Sequence, residues 1–347
     1  MSAALPETFW RDTLTKLMHG HDLSRDTAYT VMSQLMQDAA TPAQIGAVLM
    51  GLQVKSVSAD EIAGSVTAML DAAVPLPLDD TLRHQLVDTC GTGGDGAGTF
   101  NISTVAALVV AAAGVPVAKH GNRAASGTCG SADLLEQLGV AIDLDPTAAA
   151  EQLGRVGFTF LFARTYHPAV RFVAPARQEL RIPTVFNLLG PLANPAGAPH
   201  QTVGVANPSV AKVMIDALQS LNKRRAMVFT GSDGLDELTT TGTSRFYELC
   251  EDGEIRQGTI DPQTFGIPYA TAAALQGGDC ADNAAIACDV LSGARGAAHD
   301  IVALNAGAAI YIAGGADTLV DGVDLARDVL TNGGAAQVLD ALVTQRD

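Results

Sequence analysis

Leu86-Val-Asp-Thr-Cys-Gly-Thr-Gly-Gly-Asp-Gly96 decides the fold, because the texture of the chain changes there. Leu86 to Asp88 reads as a strand that runs into a glycine loop. From this point short β runs, glycine loops and helices alternate. Thr104 to Gly114 reads as a buried helix, Val115 to Ala118 as a buried strand and Ser131 to Leu138 as a helix closed by Gly139; Ala226 to Thr230 reads as a further strand. Strands joined by helical crossovers predict an α/β fold: a large domain with a central, mostly parallel sheet flanked by helices.

Upstream of Leu86 the pattern is helical only. Ser24 can cap a helix whose apolar face carries Ala28, Val31, Met32, Leu35 and Met36. Thr41-Pro42 pairs a cap with proline at the first helical position. Ser58 and Glu61 make a capping box ahead of Ile62, Val66, Met69 and Leu70, and Pro75 and Pro77 end the pattern. The stretch from His167 to Leu189 is helix-like again. The expected organisation is a small all-helical domain at 1–76, joined by 167–190, and an α/β domain over 77–347. The two crossings, near residue 166 and at Gly190-Pro191, would act as hinges.

The 347 residues are 48% hydrophobic, enough for a sizeable core, and the 35 glycines point to tight turns and backbone-lined loops. A formal charge of -16 with no Lys/Arg run argues against a nucleic-acid backbone as partner. An anionic small molecule remains compatible, held by backbone N–H groups, a few cations or a metal ion. None of the five cysteines forms a C-x-x-C pair, which fits a reducing compartment. The longest apolar stretch, Val105 to Ala118, is broken by Gly114 and Pro116 and is too short to span a bilayer. With no secretory signal at the N-terminus, the expected location is cytoplasmic.

Three motifs carry phosphate chemistry. The glycines of Gly91-Thr-Gly-Gly-Asp-Gly96 would let backbone N–H groups approach phosphate oxygens. Gly91, Gly93 and Gly96 also match a dinucleotide-binding spacing, but the helix begins too late and the next strand ends in Lys119 rather than an acid. Asn101-Ile-Ser-Thr104 opens the buried helix, whose N-terminus offers unpaired donors. Lys119-His-Gly-Asn-Arg123, placed just past a strand, offers a point charge to a pyrophosphate. Taken singly, each also fits a blander reading: a structural turn, an ordinary N-cap, a solvated loop. His120 taken alone reads better as an inert, hydrogen-bonded histidine than as a base.

Together these motifs resemble the phosphoribosyl-pyrophosphate signatures of the anthranilate phosphoribosyltransferase family, in order and in spacing. The likeness continues through Gly130-Ser-Ala-Asp-Leu-Leu-Glu136, Tyr166-His-Pro168, Arg177, Phe186-Asn-Leu-Leu-Gly-Pro-Leu-Ala-Asn-Pro195, Asp233-Gly-Leu-Asp-Glu237 and Leu304-Asn-Ala-Gly307. It implies transfer of 5-phosphoribosyl from phosphoribosyl pyrophosphate to the anthranilate amine, with release of pyrophosphate, in tryptophan biosynthesis.

The resemblance implies that Gly91, Gly94, Asp95 and Thr99 line the sugar-pyrophosphate site, with Asn101, Ile102, Ser103 and Thr104 holding phosphate oxygens. Lys119, His120, Gly121, Asn122, Arg123, Ala124, Ala125, Ser126 and Gly127 form the loop over the pyrophosphate, and Ser131 adds a contact. Gly91, Asn122 and Arg177 match anthranilate contacts, with His167 near the access path. Ser103, Asp236 and Glu237 match the ligands of two magnesium ions (Mg2+) per subunit. The residues agree with this: paired carboxylates are hard oxygen ligands of the kind Mg2+ combines with substrate phosphates, and an arginine can grip a carboxylate bidentately.

The family resemblance also implies a homodimer through the helical domain. Four positions depart from the family's habit. Thr128 and Cys129 replace a frequent basic residue and serine, Arg164 a frequent proline, and Arg181 a frequent glycine. Two rivals share the architecture: a pyrimidine nucleoside phosphorylase-like enzyme and a non-enzymatic nucleic-acid-binding relative. The His120-Gly-Asn122 run and the Asp236-Glu237 pair point away from the first, and the acidic charge from the second.

Overall fold

The computed structural model describes residues 5–124 and 128–343. Its N-terminal part is helical: α1 (Phe9–Met18), α2 (Arg25–Met36), α3 (Pro42–Lys55) and α4 (Ala59–Asp71). The caps expected from the sequence form. Ser24 Oγ accepts from Thr27 N–H at 3.3 Å, and Thr41 and Ser58 complete capping boxes with Gln44 and Glu61. Glu61 does more than close its box. Its carboxylate also accepts from Leu23 N–H at 2.8 Å and pairs with Lys55 Nζ at 2.6 Å, tying α3 and α4 to the start of α2.

The α/β part carries a seven-stranded sheet: β1 (Val87–Gly91), β2 (Val117–Gly121), β3 (Phe158–Phe162), β4 (His200–Gly204), β5 (Arg225–Gly231), β6 (Ser244–Leu249) and β7 (Ile255–Ile260). The order is β3-β2-β1-β4-β5-β6-β7. The first five strands run parallel, and β6 and β7 form an antiparallel edge. The mostly parallel sheet flanked by helices is therefore present.

Several boundaries move. β1 continues to Gly91, and the buried helix starts at Ile102 and ends at Ala112. β2 starts at Val117 and includes Lys119 and His120, which pair with Phe160 and Leu161 of β3. The expectation that Lys119 lies past its strand is thus corrected: the apolar run ends before the ladder does.

The helix-like stretch from His167 is three short pieces, a 3-10 helix Pro168–Phe172 and helices Ala174–Leu180 and Phe186–Leu192. Arg181, at φ +52°, ends the second in the left-handed region. That conformation favours glycine, the residue that the resemblance leads one to expect at this position. Val173, Val185, Phe186 and Leu189 join the apolar core of α2, α3 and α4, and the same core continues onto Val203 and Val228 of the sheet. The opposite face is covered by helices Ile102–Ala112 and Ala297–Ile312.

Candidate active site

Strand order reverses between β1 and β4, and open α/β sheets bind ligands at the carboxyl ends of strands beside such a switch. Gly91 and Gly204 end these two strands as register partners. The segment after β5 crosses directly above both. A Cβ on Gly91 would stand 2.3 Å from Asp236 Oδ2, and one on Gly204 1.6 Å from the Asp236 carbonyl oxygen. Only glycine lets the acidic turn come this close.

The turn meets two of the three motifs read as phosphate-binding, the glycine loop and the helix N-terminus. Asp236 Oδ2 accepts the Gly93 N–H of the glycine loop at 2.7 Å, and Glu237 Oε1 accepts the Ser103 N–H at the helix N-terminus at 3.1 Å. Two carboxylates thus sit on backbone donors suited to phosphate oxygens. Burial and then the Asp95 carboxylate push Asp236 up to about 6. Burial and then Asp236 push Glu237 well above the ordinary range. Crowded carboxylates raised by each other's charge are stabilised by a cation. Asp236, Glu237 and Ser103 therefore fit Mg2+, with substrate oxygens completing its shell.

Lys119 stands beneath this turn and is 2% exposed. Its Nζ donates to the Thr89 carbonyl at 2.5 Å and to Ser103 Oγ at 3.3 Å. Burial lowers its pKa, and the buried Asp88 carboxylate opposes that. The ammonium therefore faces the Ser103 helix from the sheet.

His120, the next residue, points to the other face, as alternation along a strand demands. Its Nδ1 lies 3.1 Å from the Gly190 carbonyl. A carbonyl only accepts, so Nδ1 carries the proton and Nε2 is an acceptor, with no partner among the described residues. Burial pushes its pKa down to about 3, helped by His167. The two rings lie 5.1 Å apart, and His167 Nε2 donates to the Ala193 carbonyl at 2.8 Å. His120 is thus grouped with the proposed acceptor residues. Arg177, on the neighbouring helix Ala174–Leu180, stacks on the Phe186 ring at 5.0 Å and faces no carboxylate among the described residues.

The loop after β2 is described on both sides of Ala125, Ser126 and Gly127, which the sequence reading also assigned to it and which lie outside the described residues. Asp133 clamps its two ends, accepting from Ala124 N–H and Gly130 N–H at 2.9 Å each. Arg123 pairs with Asp133 at 2.7 Å and Glu136 at 2.8 Å, so its charge braces the loop. Ser131 Oγ donates to the Asn122 carbonyl at 3.2 Å. Thr128 Oγ1 donates to the Gly278 carbonyl at 2.6 Å, which gives that departure a contact of its own. Gly94 (φ +81°) and Asp95 shape the glycine loop, with Asp95 Oδ1 accepting the Ala97 N–H at 3.1 Å. Thr99 bridges to Gln276.

Sequence reasoning missed Asp88, Thr89, Asp133, Gln276 and Asn283.

The chain matches the model of the glycosyl transferase family helical bundle domain over residues 11–73 and that of its a/b domain over residues 83–336. It is 50% identical to the anthranilate phosphoribosyltransferase of Moorella thermoacetica, over 95% of this chain and 96% of that one. The crystal structure of anthranilate phosphoribosyltransferase from Thermus thermophilus superposes with a TM-score of 0.90 at 45% identity, covering 96% of this chain and 98% of that one. The Saccharomyces cerevisiae enzyme in complex with phosphoribosyl pyrophosphate and Mg shares the fold, with a TM-score of 0.87 at 24% identity over 98% of both chains.

Proposed function

From the premise that the chain belongs to the anthranilate phosphoribosyltransferase family, we infer that its site is built for one pentosyl transfer. It transfers the 5-phosphoribosyl group of phosphoribosyl pyrophosphate to the anthranilate amine and releases pyrophosphate, a step of tryptophan biosynthesis. The observation that carries the assignment of the site is the meeting of Gly93 with Asp236 and of Ser103 with Glu237 at the β1–β4 switch.

The aniline nitrogen is already a nucleophile, so the barrier lies in departure of pyrophosphate and in the positive charge that grows on the ribose. Ser103, Asp236 and Glu237 would hold Mg2+, as two ions per subunit, and the metal would supply charge neutralisation of the leaving group. The chain's own residues do the rest. The glycine loop Gly91 to Thr99 and the N–H groups at Asn101 to Thr104 hold phosphate oxygens. Lys119 adds a fixed positive charge, and the loop from Gly121 to Gly127 with Ser131 covers the pyrophosphate, while His120 faces the acceptor side. Arg177 grips the anthranilate carboxylate, with Gly91, Asn122 and His167 around the ring. His120, held neutral by burial, offers an acceptor and carries no proton to the reaction.

The working unit is a helical domain of residues 1–76 joined by 167–190 and an α/β domain of residues 77–347. Two chains associate through the helical domain, in the cytoplasm, with no nucleic acid or membrane as partner. No helix among the described residues is long and apolar enough to cross a membrane. The test is direct. Protein, anthranilate, phosphoribosyl pyrophosphate and magnesium are mixed and the fluorescence of anthranilate is followed. Its loss at a rate proportional to protein supports the reading, and an unchanged signal with all components present removes it.

A further inference from the structure

Two side-chain amides join three segments that meet at the phosphate site. Asn283, in the first turn of helix Cys280–Leu291, is 2% exposed. Its Oδ1 accepts from Gly278 N–H at 2.9 Å, and its Nδ2 donates to Asn101 Oδ1 at 3.0 Å. Asn101 Nδ2 then donates to the Cys129 carbonyl at 2.9 Å. This series begins on a backbone donor and ends on a backbone acceptor, so each amide can face only one way. Asn101 stands at the N-cap of helix Ile102–Ala112, yet its side chain caps nothing there. Asparagine is among the best capping residues, but here its side chain turns to Cys129 and the Ser103 N–H goes to Glu237 Oε1 instead. The residues ahead of Asn283 hold the glycine loop as well: Gln276 Nε2 donates to the Ala97 carbonyl at 2.7 Å, and Gly277 N–H to the Gly98 carbonyl at 2.9 Å.

We propose that Asn283 is a positioning residue for phosphoribosyl pyrophosphate. Through Asn101 it sets the spacing between the helix N-terminus at Ile102 and the far end of the loop that starts at Asn122. The proposal rests on the function inferred above. Asn283 lies behind Asn101 and away from Arg177, so its effect belongs to the affinity for phosphoribosyl pyrophosphate and not to that for anthranilate.

Asn283→Asp tests it with little change of shape. The new side chain still accepts from Gly278 but sets an acceptor against Asn101 Oδ1. If Asn101 turns over to donate, its oxygen then faces the Cys129 carbonyl, and one bond is lost either way. The KM for phosphoribosyl pyrophosphate should rise about tenfold or more near pH 8, while that for anthranilate stays within about twofold. When the introduced carboxyl takes a proton, its O–H donates to Asn101 as the amide did. Burial against an oxygen raises its pKa, so the KM ratio of variant to wild type should fall towards one between about pH 8 and about pH 6. Asn283→Ala, with nothing to titrate, should show a raised ratio that stays flat. Wild-type turnover is measured first, because an inactive wild type removes the functional reading itself. With an active wild type and variants that melt cooperatively, an unchanged KM for phosphoribosyl pyrophosphate overturns the positioning role. So does an equal rise in both KM values, or a pH-independent ratio for Asn283→Asp.

Discussion

A guanidinium stacked on an aromatic face, with no carboxylate opposite, keeps its planar donor edge for a ligand. Arg177 is held this way over Phe186. Arg177→Ala removes a charge-assisted hydrogen bond of about 1.5–3 kcal/mol, a rise of about 10- to 150-fold in the KM for anthranilate. The KM for phosphoribosyl pyrophosphate should stay put, and Arg177→Lys should rescue little, since it lacks the fork. Separate titration of the two substrates decides it, and a variant that loses neither leaves Arg177 with no substrate role. At this scale the sequence was informative about chemistry and poor about direction. That Lys119 offers a charge was readable, but not that β2 extends to Gly121 and so turns Lys119 and His120 to opposite faces. That alternation is a property of the ladder with β3, which no local pattern reports. Asp88 and Asn283 carried no local signal either, because their roles come from segments that are distant in the chain.

Among elements, the acidic turn after β5 and the box at the start of α4 make contrasting demands. Asp236 is raised by burial and Asp95, Glu237 by burial and Asp236, and both gain from a cation. Asp236→Asn combined with Glu237→Gln relieves that crowding. The double variant should fold at least as firmly as wild type by thermal melting, yet lose turnover at limiting magnesium. Wild-type activity should vanish with excess EDTA and return with magnesium. A double variant that keeps near wild-type rates in limiting magnesium would show that the metal sits elsewhere. Glu61 is the opposite case. It and Lys55 are buried, at 1% and 2% side-chain exposure, and each satisfies the other. Glu61→Ala leaves the Lys55 ammonium with the exposed Asp22 as its counter-charge and the Ser56 carbonyl as a further acceptor, and opens the Leu23 and Ser58 N–H groups. A broken buried pair costs about 3–5 kcal/mol, and the remaining Asp22 contact favours about 3. Equilibrium urea unfolding reads it directly; a loss under about 1 kcal/mol would mean that Asp22 and water compensate in full. The box was legible from Ser58 and Glu61, because capping is local. The antiparallel edge β6–β7 was not, because its strands are half exposed and gain their order from β5.

For the molecule as a whole, the helical and α/β parts were legible from the change of texture at Leu86. The segment after His167 reads in sequence as one helix-like stretch, and its breaks at Val173 and from Arg181 were not legible. The proposed association between chains would use a surface feature of the helical part. Leu17 packs on Gly51, where a Cβ would stand 2.9 Å away, so α1 and α3 cross there. Met18, Met50 and Val54 flank that crossing and are 73%, 37% and 78% exposed. In a chain of net charge -16, apolar groups left in water beside one helix crossing gain about 25 cal/mol for each Å² that a second copy covers. A two-fold contact brings each residue near its symmetry mate's surroundings, so a single charge introduced there acts twice. Light scattering on the eluting protein should therefore give twice the chain mass for wild type. Met18→Glu with Val54→Glu should give one chain mass, with the melting transition still cooperative. Because every residue assigned to the substrates here belongs to one chain, the single-chain variant should keep both KM values within about threefold of wild type. A wild type that elutes at one chain mass would remove the dimer. A variant that stays at twice the chain mass would move the contact away from α1 and α3. A variant that separates and also loses affinity for anthranilate would show that the partner helps to order the helix carrying Arg177.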